Sequence, residues 1–203
     1  MYALVEDNNI TQFINQPKSI VVGDVRYPAK IFQLWSKSEK EAIGLYEVVV
    51  DLINYKDPEY YINTNEQYNF TDGQVTKSWG NATPKNLEDV DAVDEDGNDV
   101  LDEDGNKIII DGLKTQKKKI VKQQASGLLT PTDWYVVKAT EVTDYNVPEN
   151  ITTFRAEVRA KSNEMETQID ACTTVDELKA LYEYTQQEDG TTTRPLAEFP
   201  KEI

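Results

Sequence analysis

Histidine is absent from this chain of 203 residues, and cysteine occurs once, at Cys172. The missing imidazole removes the side chain that most often serves as a general base or a transition-metal ligand. A single thiol can form neither an intrachain disulfide nor a multi-thiolate zinc site, and it has no histidine to activate it as a nucleophile. We therefore expect no enzymatic activity and no cofactor, and we interpret Cys172 as a small buried residue.

Long apolar stretches are also missing. The sequence has no run of about 18 apolar residues, which a membrane-spanning helix requires. The N-terminal stretch MYALVEDNNI lacks the basic region and apolar segment of a secretory signal. The sequence therefore predicts a protein with no membrane partner that is made and folded in a cytoplasm.

Positive charge is scarce as well. The chain has 21 basic and 37 acidic residues, which gives a net charge of −16. A field of that sign repels nucleic-acid phosphates and anionic lipid, so nucleic-acid binding is not expected. The basic cluster at 114–122 is interpreted as a solvated or acid-neutralising segment. The abundant acids would allow a glycosidase-like carboxylate pair, but they cluster in turn-like segments where raised pKa values are not expected.

What is present in residues 1–90 is a series of short apolar runs between turn-forming residues, which is typical of a β-rich region. Tyr2–Val5 and Leu45–Val50 are predicted strands, and 38–44 is a predicted short helix. Asp72-Gly73, between alternating apolar residues, predicts a tight hairpin turn.

Residues 91–128 begin with an internal repeat of two eight-residue units, 92–99 and 100–107. Each unit contains the run Asp-Glu-Asp followed by a Gly-Asn pair, so we predict two tight turns joined by short strands, projecting as an acidic β-ribbon. A calcium loop is the alternative, but counting back six positions from either glycine puts Ala92 or Val100 where the first oxygen ligand should be. Turn formation is therefore favoured over calcium binding. The polar and basic residues after the repeat indicate a linker.

Residues 129–203 carry the clearest helical pattern. Apolar residues at 151, 154, 158, 165 and 169 are spaced for one helix face after Pro148. Arg155 and Arg159 fall among the residues assigned to the rest of that helix. Thr174 and Glu177 form the capping-box pattern of a second helix, which predicts an antiparallel helical hairpin followed by an extended tail. Asp133 or Thr132 is a predicted cap of a short helix that contains Trp134, and a brief strand from Trp134 to Val137 is the alternative.

The prediction is thus an α+β protein in three sections. Residues 1–90 form a β-rich interaction domain, 91–128 form the acidic turn repeat and basic linker, and 129–203 form the helical hairpin and tail.

Several of these segments resemble a known family. The segment LTPTDWYVVKATE (129–141), followed by VPENI (147–151), FRAEVR (154–159) and TVDEL (174–178), resembles bacteriophage tail-fibre assembly proteins. Upstream, YPAKIF (27–32), LWS (34–36) and IGLY (43–46) resemble phage tail accessory proteins. The duplicated acidic turns and the long middle section depart from that pattern.

The resemblance implies a non-enzymatic phage tail protein whose partners are other tail or fibre proteins and which self-associates around a symmetry axis. It would reach the virion tail after assembly in the host cytoplasm, as an assembly chaperone or as a permanent part. Candidate partner-binding residues are Trp134, Arg155 and Arg159. Trp134 is alternatively a buried anchor, and the arginines alternatively pair with glutamates of their own helix. A receptor-binding or carbohydrate-binding module, with Trp79 and Tyr60-Tyr61 stacking on sugars, is the competing function.

Overall fold

Strands dominate the first part of the chain and helices dominate the second, so the predicted α+β class is confirmed. The structure is a computed structural model that describes residues 1–201. Contacts within the chain divide it into two units, Met1–Pro84 and the part that begins at Lys85. Each unit is described by itself below.

The first unit contains one main sheet, two two-stranded pairs and two short helices. Its strands are Tyr2–Glu6 (β1), Asn9–Ile14 (β2), Ile20–Val22 (β3), Val25–Tyr27 (β4), Leu45–Val50 (β5), Tyr61–Ile62 (β6), Gln67–Thr71 (β7), Gln74–Ser78 (β8) and Thr83–Pro84 (β9), and its helices are Ile31–Leu34 (α1) and Lys37–Glu41 (α2). The two-stranded pairs are β3 with β4 and β6 with β9.

The main sheet is curled and has the strand order β2-β1-β5-β8-β7. Its neighbours are antiparallel except for β5 and β8, which run parallel with Val48 opposite Val75. The predicted hairpin joins β7 to β8, and its turn residues have positive φ angles, 53° at Asp72 and 74° at Gly73. Both angles are what a type I′ turn requires, which confirms the prediction.

Alternating side chains of β1 supply two separate apolar clusters, as the twofold period of a strand requires. Ala3 and Val5 pack in a cluster with Val48 and Val75. Tyr2 packs on the other cluster, whose buried members are Ile14, Ile20, Ile31, Phe32 and Leu45. The short helix α1 and the β3–β4 hairpin therefore contribute to one cluster, and the centre of the curled sheet forms the other.

The second unit contains four helices and two short strand pairs within its described residues. Its strands are Val90–Asp91 (β10), Ile109–Ile110 (β11), Thr185–Gln186 (β12) and Thr192–Thr193 (β13), and its helices are Leu113–Leu129 (α3), Asp133–Glu141 (α4), Glu149–Ala171 (α5) and Val175–Tyr182 (α6).

The two acidic units form two tight turns of the same geometry. Backbone N–H groups connect three positions eight residues apart in a closed cycle: Ala92 donates to Ile108 (2.8 Å), Ile108 to Val100 (2.9 Å) and Val100 to Ala92 (2.8 Å). Within the first turn the Asp94 carboxylate accepts hydrogen bonds from the backbone N–H groups of Asp96 (3.0 Å) and Asn98 (2.8 Å). These bonds lower the pKa of Asp94, and Asp102 has the same arrangement in the second turn.

The segment predicted as a basic linker is the helix α3, so that prediction is wrong. Its buried residues are Leu113, Lys114, Lys117, Val121 and Ala125, which lie on one helix face. Two of them are lysines, and the Lys114 ammonium donates to Glu88 (2.5 Å) and to the Asp170 carbonyl (3.0 Å). Lysine can bury its aliphatic stem while its charge finds an acidic partner. Lys118, Lys119 and Lys122 also pair with acids, Asp170, Asp111 and Glu166, so the basic cluster is acid-neutralising, which is one of the two alternatives predicted for it.

Helix α3 begins at a point of very close backbone approach. A Cβ atom at Gly112 would lie 2.3 Å from the backbone carbonyl atoms of Glu88, so this position has no room for a side chain. The Gly112 N–H donates to the Asp89 carboxylate (2.8 Å), which fixes the start of the helix.

The long helix α5 packs mainly against α3, and the two run antiparallel. Phe154 and Val158 of α5 contact Ala125 of α3, while Asp170 at the other end of α5 pairs with Lys118 (2.7 Å). All five predicted apolar positions of α5 are buried: Ile151, Phe154, Val158, Met165 and Ile169. The predicted capping box of α6, between Thr174 and Glu177, is also present.

Candidate interaction surface

Arg155 lies on the buried face of α5 and holds the end of α3 in place. The residue is 8% exposed. Its Nη1 donates to the Leu129 carbonyl (2.9 Å) and to the Thr132 hydroxyl (2.6 Å), and its Nη2 pairs with Asp133 Oδ1 (2.8 Å). Arg155 therefore does not pair with a glutamate of its own helix, and its guanidinium is directed into the protein rather than toward a partner.

The turn that Arg155 holds is a single 3₁₀ turn, Thr130–Thr132, between α3 and α4. Pro131 lies at its start, where a missing N–H costs nothing. The predicted short helix is present as α4, but the predicted side-chain cap at its start is not. The Thr132 hydroxyl donates to the Leu129 carbonyl (2.8 Å) and accepts from Arg155, so it makes no capping bond.

Trp134 is carried outward by α4. Its side chain is half exposed, at 51%, which contradicts the interpretation of a buried anchor. The ring stacks on that of Tyr135, with 3.8 Å between the centroids. Lys138 Nζ lies 5.7 Å from the centroid of the Trp134 ring, within reach of a cation–π contact. The rigid element at this place is the Arg155 contact, and the tryptophan remains accessible.

The rest of α4 is also unusually exposed for its composition. None of its residues is buried. Val136 and Val137 are 40% and 51% exposed, and Val142, the next residue after the helix, is 47% exposed. We call the face of α4 that carries Trp134 and Val137, which are three residues apart, the α4 apolar surface. Exposed apolar residues grouped on one element mark an interaction surface more often than scattered ones do.

Arg159 is one turn further along α5 and is exposed. Its Nη1 donates to the Arg155 carbonyl at 3.4 Å, a long bond, and no ion pair to it occurs within residues 1–201. It therefore does not make the predicted pair with a glutamate of its helix. Arg159 lines an open groove of about 420 Å³ between α3 and α5, together with Lys122, Ser126, Thr130, Asp133 and Asn163.

Sequence reasoning missed the contact between Arg155 and the turn before α4, although a signal was present. Arg155 and Ser162 share the spacing of Ile151, Phe154 and Val158, and both are buried with them. An arginine in phase with the apolar face of a helix is a candidate for burial against carbonyl and hydroxyl groups.

Other predicted features can now be located. Cys172 is 6% exposed, and burial raises the pKa of its thiol, which confirms it as a small buried residue. The tyrosines proposed to stack on sugars, Tyr60 and Tyr61, are 3% and 4% exposed, so they are not available for that role. Trp79 is half-buried against the Tyr55 ring, with 4.7 Å between the centroids.

Among residues 1–201, no helix is both long enough and apolar enough to cross a bilayer. No three Asp, Glu or Cys side chains in that range are grouped so that they could hold a metal ion.

Comparison of the chain with family models, with curated proteins and with solved structures finds no match. The resemblance to tail-fibre assembly proteins therefore depends on the motif residues alone.

Proposed function

We propose that this chain is a non-enzymatic bacteriophage tail protein that binds tail-fibre polypeptides through the α4 apolar surface. It acts either as an assembly chaperone or as a permanent part of the virion tail.

One observation carries the proposal. The two motifs behind the resemblance, LTPTDW and FRAEVR, are far apart in the sequence, yet Arg155 of the second contacts Leu129, Thr132 and Asp133 of the first. Such a contact explains why both motifs would occur together. Its structural effect is to hold the start of α4, which supports a role for the residue that α4 exposes, Trp134.

The chemistry of this surface supports a protein partner. Tryptophan is enriched among the residues that dominate binding energy at protein interfaces. Val137, three residues from Trp134 on the same helix and 51% exposed, extends the apolar area. The preformed helix means that little chain ordering is needed when a partner binds.

Two further features complete the proposed arrangement. The acidic turns form a projecting ribbon whose negative charge keeps copies of the chain from associating unspecifically. The helices α5 and α6 form an antiparallel hairpin that serves as a docking arm. Copies of the chain are arranged around the symmetry axis of the tail.

The test is co-expression with the fibre protein encoded beside this chain, followed by pull-down and electron microscopy of the complex. Trp134→Ala should weaken capture by at least about thirtyfold, because loss of an interface hot spot costs about 2 kcal/mol or more. Tyr184→Ala is the matched control, since Tyr184 is an aromatic residue exposed to a similar degree, at 58%. Equal capture by the two variants, or no capture by the unaltered chain, would refute the proposal.

The two versions of the role are separated by mass spectrometry of purified particles. A permanent tail part is present in stoichiometric amounts, whereas a chaperone is absent from finished particles.

A further inference from the structure

We infer that the groove between α3 and α5, which Arg159 lines, binds a carboxylate side chain of an acidic segment of the partner polypeptide. This inference rests on the proposed function, because it names the chemistry of the same partner at a second place. It gives the partner two recognition elements, an apolar one for α4 and an acidic one for the groove.

Charge is the first argument. In a chain with a net charge of −16, the groove lining contains three cations, Lys122, Arg155 and Arg159, against one carboxylate, Asp133. That carboxylate is already paired with Arg155 at 2.8 Å. Lys122 pairs with Glu166 at 3.3 Å, so the groove has one cation in excess, Arg159, and this cation is complementary to an acidic side chain.

The state of each cation is the second argument. Arg155 donates its hydrogen bonds to the turn before α4. Lys122 forms an ion pair with Glu166 at 3.3 Å, and the lysine side chain is 65% exposed. Arg159 keeps most of its donors, since its one polar contact within the described residues is the 3.4 Å bond to a carbonyl of its own helix. A guanidinium can hold a carboxylate with two parallel N–H bonds, which lysine cannot do.

The surroundings of Arg159 are the third argument. Asn163 follows it by one helical turn, Ser126 belongs to α3, and both line the same groove. An amide and a hydroxyl can donate to the remaining lone pairs of a bound carboxylate. Both helices are anchored to each other by buried apolar contacts, so the groove is preformed. Preformed polar groups around one charge favour a specific ligand over a diffuse counterion.

A fluorescent acidic peptide is the probe, with Glu residues one helical turn apart and Leu between them. Its anisotropy is followed as the unaltered full chain is added, up to about 1 mM, where weak but saturable binding is measurable. Saturable binding is expected. Arg159→Gln should weaken it by at least about tenfold, the effect of losing a charge-assisted hydrogen bond. The same peptide with Gln in place of Glu should bind as weakly as the variant does.

Lys161→Gln is the matched control, because Lys161 is a cation on the same helix and already forms an ion pair with Glu164 at 2.7 Å. It should change peptide binding by less than about twofold. Circular dichroism should show the same thermal unfolding for both variants, since neither side chain is buried. In a charge-reversal experiment, Arg159→Glu should lose the Glu peptide and gain a peptide in which Lys replaces Glu.

Three results would overturn the inference: no saturable binding, equal binding by the Arg159→Gln variant and the unaltered chain, or equal binding of the Gln peptide. Arg159-dependent binding of a single-stranded oligonucleotide, without binding of the acidic peptide, would also overturn it. The measurement needs no fibre protein. Peptide binding without fibre capture would therefore refute the proposed phage function and support the carboxylate-binding groove. Fibre capture without peptide binding would support the phage function and refute the groove as a carboxylate site.

Discussion

Replacement of Arg155 by Met tests whether this side chain stabilises the turn before α4. The side chain lies 8% exposed between α5 and the turn before α4. Methionine replaces much of its aliphatic volume, so the change removes the guanidinium with little loss of packing. What is lost is one bond to the Leu129 carbonyl, one bond to the Thr132 hydroxyl and the pair with Asp133.

The three losses differ in size. Asp133 is 56% exposed at its side chain, so it is hydrated once the arginine is gone, and the pair is worth about 0–1 kcal/mol. The Leu129 carbonyl and Thr132 hydroxyl are shielded by the same turn, and each loses a charged donor at a cost of about 1–2 kcal/mol. We expect Arg155→Met to lower the free energy of unfolding of the second unit by about 3 kcal/mol. The melting temperature should fall by roughly 10 °C.

The measurement is thermal and urea unfolding of the full chain, followed by the helical circular-dichroism signal, because the long helices belong to the second unit. Asp133→Asn is the control that removes only the charge of the exposed partner, and it should cost less than about 1 kcal/mol. Equal losses for the two variants would show that the ion pair, not the bonds to the turn, holds α4. A loss below about 1 kcal/mol for Arg155→Met would refute the reasoning altogether.

Three other predictions concern stability. Gly112→Ala should destabilise the chain by more than about 2 kcal/mol in urea unfolding, because its new methyl group would lie 2.3 Å from the backbone carbonyl of Glu88. Gly127→Ala is the control: it has open space around it and should instead stabilise α3 by about 0.5–1 kcal/mol. Ile169→Ala should cost about 2–5 kcal/mol in the same assay, since the side chain is 0% exposed, whereas Ile120→Ala, at 44% exposure, should stay within about 0.5 kcal/mol. Lastly, the folded pKa of Asp94 lies below its ordinary value of 3.8, so the first acidic turn is fully stabilised above that pH and loses this contribution as the pH falls through the folded pKa. Amide exchange, corrected for the intrinsic pH dependence of the exchange reaction, should show a falling protection factor for the amides of the turn. A protection factor that does not change over this pH range would contradict the assignment.

Local patterns predicted much of the fold. The strand at Leu45–Val50, the Asp72-Gly73 hairpin and the capping box of Thr174 depend on residues close in sequence, and each is present. The buried face of α5 was also predictable, because the 3.6-residue period records which side of a helix meets the core.

Features that depend on distant partners were not predictable in the same way. Lys114 is polar by composition, and only the arrival of Glu88 and the Asp170 carbonyl makes its burial favourable. Arg155 is buried for the same kind of reason, because its hydrogen-bond acceptors belong to a turn more than twenty positions earlier. Residue type alone assigned neither to the core. For Trp134 it left two alternatives, a partner contact or a buried anchor, and the 51% exposure of this residue contradicts the second.

The parallel pairing of β5 with β8 has a consequence for how the first unit is made. While the ribosome is still adding the crossover from Asp51 to Gly73, β5 can already pair with β1 on one side, but its other edge exposes unpaired N–H and C=O groups. Such an edge is a template for wrong pairing with other nascent chains until β8 emerges. Rapid closure of the β7–β8 hairpin would deliver β8 as a preassembled ribbon and shorten that interval.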